Sequence, residues 1–437
     1  MSAAKEVSIN VEHLTRVEGH GNIRLNAKNG KIEQIEWQIS EAPRFFESFV
    51  RNRPYTELSH ITSRICGICS IGHALASLKA TEKAMNIRIS RQTELLRKIA
   101  LHGENMQSHI LHVGYLVAPD LFTVGSVFPL ISSAPETVKK IIRLHRLANE
   151  MSELLCGRTT HPISLVPGGF SFIPSEKQLR MLKQRLIDSE STCEAVAEVI
   201  LENADKLPDF TRETEYIALT SKDEYALYDG QIGSTDTGIH PIKDYESVVN
   251  EFVVPQSTAK YCKHHRDSYM VGALARFNLN ADLLHPKAKK LADQFNLSPI
   301  NYNPFMNNIA QIVEYVHSVE DSIALIDTLL DNGFNRFEKP VDFTVKKGRG
   351  VGAVEVPRGI LFHDYTYDKN GVCTKANCVI PTNQNHNNIQ KDMEVFAPEL
   401  LDRPKEEIRL NLEMLVRAYD PCISCSTHYL DVIFVDE

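Results

Sequence analysis

The chain has 437 residues, of which 43% are hydrophobic and 24% charged, and its net charge at pH 7 is −8. These values are those of an ordinary globular protein, and the acidic balance without any basic tract argues against nucleic acid as a partner. The N-terminus has no signal-peptide core, and no run approaches the ~18 apolar residues of a membrane helix. We therefore expect a cytoplasmic protein that does not insert into a membrane.

The first elements of the chain are predicted to be β-strands followed by long helices. Alternating apolar residues on both sides of Asn29-Gly30 predict a hairpin over about residues 6–40. From Ile71 onward apolar residues recur every three or four positions, which predicts helices over about 70–206 and 304–334. Several of these helices exceed ~20 residues, which favours a bundle.

The remaining segments are mixed. Short strand-like pieces and polar turns fill the region from about 207 to 285, and β-structure is predicted again over about 349–382, with a turn at Asn370-Gly371. A last helix leads to the motif at 420–428. The sequence therefore predicts one α+β domain over residues 1–437, predominantly helical, with a central bundle of long helices and small peripheral β-sheets.

Nine cysteines are too few, and odd in number, for a disulfide scaffold of this length. Four of them form two CxxC pairs, Cys66 and Cys69 in RICGIC and Cys422 and Cys425 in DPCISC. Four thiolates make a soft site suited to zinc, nickel or an iron–sulfur group. The pairs lie near opposite ends of the chain, which favours a buried catalytic centre, although a structural zinc site and a thiol–disulfide pair remain alternatives.

The sequence around both cysteine pairs resembles the large subunit of nickel–iron hydrogenases. The resemblance covers nearly the whole chain and is strongest for the cytosolic, multi-subunit branch, whose members pass electrons to a deazaflavin, to NAD(P) or to a heterodisulfide reductase. It is carried further by RVEGHG at 16–21, FFESF at 45–49, SHILH at 108–112, GRTTHPISLVPGG at 157–169, EVPRG at 355–359 and NCVIPTNQN at 377–385. The implied function is catalytic: reversible heterolytic cleavage of dihydrogen to protons and electrons.

The resemblance also implies a nickel–iron centre whose iron carries carbonyl and cyanide ligands. Cys66 and Cys422 match the terminal nickel ligands of the family, and Cys69 and Cys425 match the two cysteines that bridge nickel and iron. Thiolates are soft donors that hold redox-active metals well.

Several residues match the surroundings of that centre. Arg358 corresponds to the family arginine that lies over the metals, and Asp420 to the aspartate that pairs with it. Pro357 and Thr382 occupy positions that line the diatomic ligands of the iron. Ser108 stands where the family commonly has an aspartate; its hydroxyl can form hydrogen bonds but cannot balance the charge of Arg358.

Two further roles follow from the resemblance. Glu18 matches the glutamate that first accepts a proton from the sulfur of a bridging cysteine, and a carboxyl group there can pass the proton on. Glu47, the backbone carbonyl of Cys378 and His428 match a second site for magnesium or iron.

The chain has no additional cysteine cluster, so we expect an iron–sulfur small subunit to take the electrons, with further flavin or iron–sulfur subunits beyond it. In the family a maturation endopeptidase cuts after the residue matched by His428, which makes 429–437 a removable tail; an ordinary terminal strand is the alternative. Two other functions stay open at this point, a hydrogen-sensing regulatory protein of the same fold and a structural zinc protein.

Overall fold

The structure is a computed structural model that describes residues 6–427; the expected tail and His428 lie outside this range. The helices are α1 Phe46–Val50, α2 Tyr55–Thr62, α3 Ser70–Met85, α4 Arg91–Leu111, α5 Ala118–Leu121, α6 Leu130–Ser133, α7 Pro135–Cys156, α8 Glu176–Leu201, α9 Tyr245–Val248, α10 Ala273–Asn280, α11 Pro286–Gln294, α12 Asn307–Asp331, α13 Pro381–Leu400, α14 Lys405–Ala418 and α15 Ile423–Ser426. The strands are β1 Glu6–Val11, β2 Gly21–Lys28, β3 Lys31–Ile39, β4 Leu165–Val166, β5 Gly169–Phe170, β6 Glu215–Thr220, β7 Gln231–Ser234, β8 Gly238–His240, β9 Asn250–Phe252, β10 Tyr261–Lys263, β11 Tyr269–Met270, β12 Gly348–Val356, β13 Gly359–Tyr367 and β14 Cys373–Val379.

The predicted fold class is confirmed, because long helices form the centre and the sheets are small. Helix α4 packs against α7 and α12, and α8 packs against α7 and α12. Each N-terminus of α4 and α8 is capped by a serine, Ser90 and Ser175, which accepts a backbone N–H of the first turn. Among residues 6–427, none of the helices combines the length and the apolar character needed to cross a bilayer.

The N-terminal sheet has the antiparallel order β1-β2-β3, and β2 and β3 form a hairpin around the predicted turn at Asn29-Gly30. Asn29 and Gly30 have φ angles of 56° and 73°, the left-handed conformations that a tight turn between two strands requires. A second three-stranded sheet has the order β12-β13-β14 and lies next to α3.

Glycines on alternate positions of β12 let α3 lie directly on the strand backbone. A Cβ atom on Gly350 would come within 2.1 Å of the Ala80 carbonyl oxygen, and one on Gly352 within 2.2 Å of the Ala76 carbonyl oxygen. Only glycine permits this approach. The contact brings the cysteine pair before α3 close to the turn after β12, which carries Arg358.

The prediction of β-structure as far as residue 382 is wrong at its end. Strand β14 stops at Val379, and α13 begins at Pro381, a residue suited to the first turn of a helix. The early part of α13 is rich in asparagine, which has low helix propensity. Its amides bond to other segments instead: Asn383 donates to the carbonyl oxygen of Ser426, and Asn385 accepts from the N–H of Val271. Tertiary hydrogen bonds therefore override local propensity here.

Candidate metal centre

The two cysteine pairs meet in one buried cluster. The Sγ atoms of Cys66 and Cys422 are 3.4 Å apart, and those of Cys69 and Cys425 are 4.0 Å apart. All four sulfurs lie within 4.8 Å of one another, and all four residues are buried. Within residues 6–427 this is the one group of three or more histidine, cysteine or acidic side chains with the spacing of a metal site.

Arg44 holds the two cysteine loops against each other. Its Nη2 atom donates to the carbonyl oxygen of Ile65, just before the first pair, at 2.7 Å, and also to the carbonyl oxygen of Ser424 in the second loop. Its backbone N–H donates to the carbonyl oxygen of Thr427 at 2.7 Å. One arginine therefore bridges both halves of the site.

Glu104 fixes the start of α3, directly after the first cysteine pair. Its carboxylate accepts the N–H of Ile71 at 2.6 Å and that of Gly72 at 3.0 Å, two of the donors that a helix N-terminus leaves without helical partners. Burial raises the pKa of Glu104 to about 8. The two backbone N–H bonds act in the opposite direction and favour the ionised form, but burial outweighs them.

The four thiols do not ionise alike. Hydrogen bonds from Cys422, Cys425 and Cys69 hold the pKa of Cys66 well below its ordinary value. Burial keeps the pKa values of Cys422 and Cys425 well above theirs. Removing the remaining protons would crowd like charges in a buried space, so a bound cation is what allows all four sulfurs to be thiolates.

Arg358 and Asp420 form a buried pair beside the sulfurs. Arg358 donates from Nη2 to Oδ1 of Asp420 at 2.8 Å and from Nε to the Asp420 carbonyl oxygen at 2.6 Å. Burial alone would lower the pKa of Arg358, but Asp420 and the sulfurs of Cys422 and Cys66 keep it well above the ordinary arginine value. The guanidinium is therefore a permanent cation next to the cluster.

Arg276 of α10 forms hydrogen bonds to the turn that carries Arg358. Arg276 donates to the carbonyl oxygens of Val356 and Pro357, at 2.9 and 3.0 Å. Its charge is balanced by Glu314 of α12, which it contacts through two bonds of 2.6 Å, and by Glu355 of β12 at 2.9 Å. This fully buried ion network fixes the backbone on which Arg358 stands.

Three further residues were expected around the centre, namely Thr382, Pro357 and Ser108. Thr382 accepts the N–H of Cys422 at 3.0 Å, and Pro357 is buried beside Arg358. Ser108 is completely buried, yet its Oγ atom has no hydrogen-bond partner among the described residues. The Nη1 atom of Arg358 also has none there. Within residues 6–427, Asp420 is the acidic side chain that forms an ion pair with Arg358.

Glu18 contacts the second cysteine loop. Its backbone carbonyl accepts the N–H of Ile423 at 2.9 Å, and its Oε2 atom accepts the N–H of Ser424 at 3.0 Å. The same oxygen lies 3.2 Å from Sγ of Cys422. The expected sulfur was that of a bridging cysteine, whereas the contact is with Cys422, which the resemblance marks as terminal. Glu18 is half-buried.

Part of the expected second metal site lies within the described residues. Glu47 is 3% exposed, and its Oε1 atom accepts the backbone N–H of Cys378 at 2.7 Å. The two residues are 331 positions apart in sequence. The third expected ligand, His428, is outside the described range.

Sequence patterns gave no sign of three residues that build this site. Arg44, Glu104 and Arg276 each act on backbone atoms of distant segments, and none of the three was singled out from the sequence, although Arg44 directly precedes the FFESF stretch. An available signal is a charged residue within an apolar helical pattern, clearest for Arg276, which is the single charged residue of α10.

With this geometry in place, comparison with known proteins is decisive. The family model for nickel-dependent hydrogenases matches residues 44–141 and 211–428. The chain belongs to that family. It is similar to the alpha subunit of sulfhydrogenase 1 from Pyrococcus furiosus, with 31% identity over 96% of this chain and 97% of that protein. It is also 32% identical to one subunit of the F420-non-reducing hydrogenase of Methanothermobacter thermautotrophicus, over 97% and 95% of the two chains.

The fold agrees with this assignment. A crystal structure of an NAD+-reducing [NiFe]-hydrogenase in the H2-reduced state superimposes with a TM-score of 0.87 at 29% identity, covering 96% of this chain and 99% of that one. The hydrogenase chain is therefore the catalytic subunit of an oxidoreductase that acts on dihydrogen, not a structural zinc protein.

The family implies a nickel–iron centre, and the residues present fit it. Four soft sulfur donors converge in a buried space, and a guanidinium lies beside them to offset the negative charge of an anionic metal–thiolate group. Hard oxygen donors, which magnesium or calcium would need, do not belong to this cluster.

Proposed function

We propose that Cys66, Cys69, Cys422 and Cys425 hold the nickel–iron centre at which dihydrogen is cleaved. Cys66 and Cys422 act as terminal ligands of nickel, and Cys69 and Cys425 bridge to an iron that carries carbonyl and cyanide. The convergence of the four buried sulfurs within 4.8 Å is the observation that carries this proposal. When bound, the centre supplies the redox-active site that takes up the two electrons of dihydrogen.

The surrounding residues then have distinct tasks. Arg358 keeps a fixed positive charge against the cluster, and Asp420 orients it through two bonds. Pro357, Thr382 and Ser108 line the space for the diatomic ligands. These roles are supported by burial, by the bond from the Cys422 amide to Thr382 and by the position of Pro357 next to Arg358.

Glu18 is the first proton acceptor. Its Oε2 atom lies 3.2 Å from the sulfur of Cys422, within reach of a proton held on that atom. The N–H of Ser424 fixes the same oxygen, so the carboxylate stays in position between transfers. Because Glu18 is half-buried, it can hand the proton on toward solvent.

A second metal ion, magnesium or iron, joins Glu47, the carbonyl oxygen of Cys378 and His428. The bond between Glu47 and the Cys378 amide supports the first half of this site, since it brings the two residues together from distant parts of the chain. Such an ion would tie the C-terminal motif to the rest of the domain. Cleavage after His428 by a maturation endopeptidase is part of the same proposal.

Electrons leave through an iron–sulfur small subunit, followed by further electron-transfer subunits that carry flavin or iron–sulfur groups. The support is that the described residues contain a single metal-type cluster and that the similar proteins are named as single subunits of their hydrogenases. The names of those relatives do not point to one common electron acceptor. We therefore propose a soluble acceptor without naming the compound.

Infrared spectroscopy of the purified complex tests the proposal. We expect stretching bands of metal-bound carbon monoxide and cyanide, together with nickel and iron in metal analysis. A nickel-loaded protein without these bands would refute the proposed centre. Rapid dihydrogen-dependent reduction of a dye would then distinguish an enzyme from a hydrogen sensor, which turns over slowly.

A further inference from the structure

Three hydrogen-bonded pairs in one antiparallel register join α12 to α4 and to His112, the residue that directly follows α4. His112 contacts Gln311 at 2.6 Å, and His109 contacts Glu314 at 2.7 Å. Seven residues before His109, the last pair joins His102 of α4 to Asp321 of α12 at 2.7 Å. We call this line of contacts the α4/α12 seam.

The inner end of the seam reaches the proposed metal site. Gln311 donates from Nε2 to Oδ2 of Asp420 at 3.0 Å, and Asp420 binds Arg358. The outer end reaches the surface, because the side chain of Asp321 is 28% exposed and accepts a bond from His285, which is 30% exposed. The seam therefore connects Arg358 to solvent.

Between its paired residues the seam contains buried polar atoms that no described residue satisfies. Both amide atoms of Asn105, Oγ of Ser108 and Oγ of Ser318 have no partner there, and these residues are completely buried. The register of the three pairs places Asn105 across from Ser318, in the gap of about 10 Å between the His109 and His102 contacts. One unsatisfied group of this kind costs about 1–3 kcal/mol, so a row of them needs water.

His102 and His109, which flank this gap, use their ring nitrogens in the same way. Each uses Nε2 for its carboxylate partner, so that atom carries the proton, and Nδ1 is left as a lone-pair acceptor. In both His102 and His109 the Nδ1 atom is buried and has no partner among residues 6–427. A water molecule can donate to each of them, and Asn105 can bond to the next water in line.

We propose that the α4/α12 seam holds a file of water molecules that gives protons a second exit from the site, separate from Glu18. One proton enters the row of water molecules near Ser108 while another leaves to solvent at the Asp321–His285 pair. The number of protons in the row therefore does not change. The electrons leave separately through the metal centre and the iron–sulfur partner. The inference rests on the proposed location of the metal site at the cysteine cluster.

Electrostatics of the seam explains why water, rather than the carboxylates, must carry the proton. The two bonds from Arg276 hold the pKa of Glu314 well below its usual range despite burial, so this group stays ionised. Burial lowers the pKa of His109 as well. A fixed anion beside a neutral His109 orients water without trapping the proton.

Asn105→Leu in the complete, metal-loaded complex tests the proposal. Leucine has nearly the same shape as asparagine but cannot bind water. In a Glu18→Gln background, where the seam carries the proton flux that remains, exchange of D2 with solvent protons should therefore fall roughly tenfold below that of Glu18→Gln alone. Asn105→Ser, which is smaller and polar, should exchange faster than Asn105→Leu; a merely structural asparagine would predict the reverse. Ser152→Ala removes a buried hydroxyl on α7 that lacks a described partner, and it should exchange at the wild-type rate.

Infrared bands and metal content identify variants whose centre is intact. If the intact Glu18→Gln, Asn105→Leu double variant exchanged as fast as Glu18→Gln alone, the proposal would be overturned. A high-resolution structure of the wild-type complex gives a second readout that does not depend on the variant: ordered water between Asn105 and Ser318 is expected, and a dry seam would overturn the proposal. Missing infrared bands in the wild type would instead count against the proposed function.

Discussion

Arg358 approaches Asp420 through two separate atoms, with Nη2 on the carboxylate and Nε on the carbonyl oxygen of the same residue. Asp420 has a φ angle of 49°, a conformation that residues other than glycine seldom adopt. This backbone conformation presents both acceptors to one guanidinium, two residues before Cys422. The pair therefore links the orientation of the arginine to the position of Cys422, a proposed metal ligand.

Replacing Arg358 by lysine tests that link. Lysine keeps the charge but cannot form the two bonds at once, so dihydrogen-dependent dye reduction should fall roughly 100-fold or more. Arg349→Lys is the matched control, because Arg349 also binds an aspartate, Asp364, through Nε and Nη2 but lies 48% exposed and away from the site. An unimpaired Arg358→Lys enzyme would show that charge alone is sufficient.

Glu18→Gln keeps the shape of the side chain and an oxygen for the N–H of Ser424, but it cannot take a proton from Cys422. Turnover should drop roughly 100-fold or more, because a positioned acid or base contributes at least about 100-fold to the rate. Infrared bands should be unchanged. Glu36→Gln, a half-buried glutamate on β3, serves as the control. If Glu18→Gln turned over normally, the first proton acceptor would have to be sought elsewhere.

Cys422→Ser should abolish nickel incorporation, since a neutral hydroxyl is a poor ligand for a soft metal. Cys193→Ser changes another buried cysteine, one whose pKa burial raises to about 12 and which lies outside the cluster. Metal analysis of both proteins makes the comparison. Normal nickel content in Cys422→Ser would remove this residue from the ligand set.

His386 predicts an acid-sensitive contribution to stability. It accepts from Nε1 of Trp37 and lies 2.9 Å from Oγ of Ser426 in the closing motif, and burial lowers its pKa to about 3 from 6.5. The unfolded chain takes up a proton below pH 6.5 while the native histidine stays neutral. Stability is therefore lost as pH falls from 6.5 toward 3, by up to about 1.4 kcal/mol per pH unit.

Thermal unfolding at several pH values between 7 and 4 measures this slope. His386→Gln should have a flatter profile than the wild type, whereas His60→Gln, which changes an exposed histidine, should follow the wild type. Equal slopes for all three proteins would assign the acid sensitivity to other groups.

Gly19→Ala should prevent closure of the second cysteine loop. A Cβ atom on Gly19 would lie 2.8 Å from both Cβ of Ile423 and the backbone nitrogen of Ser424, and its φ angle is +86°. Gly30→Ala carries similar backbone strain, at φ +73°, with no atom within 4 Å of the added carbon. We expect Gly30→Ala to cost about 1–3 kcal/mol of stability and keep its nickel, and Gly19→Ala to lose nickel. Equal metal content would contradict the steric explanation.

The sequence predicted those parts of the site that depend on local spacing or on long motifs. The CxxC pairs, Arg358 and Asp420 belong to such motifs, and the long helices follow from apolar periodicity. Arg44 and Glu104 could not be predicted, because their partners are backbone atoms brought together only by the fold. Helix α13 was missed for a related reason: bonds from its asparagines to remote segments outweigh their low helix propensity.

The distance in sequence between the two cysteine pairs has a consequence for synthesis on the ribosome. A nascent chain that carries Cys66 and Cys69 has only two of four thiolates until Cys422 and Cys425 have been translated and have folded back against Arg44 and Glu18. A chain whose synthesis stops before Cys422 therefore has only two of the four cysteines of the proposed metal site. On the proposed assignment such fragments cannot bind the centre, so metal loading requires translation at least as far as Cys425.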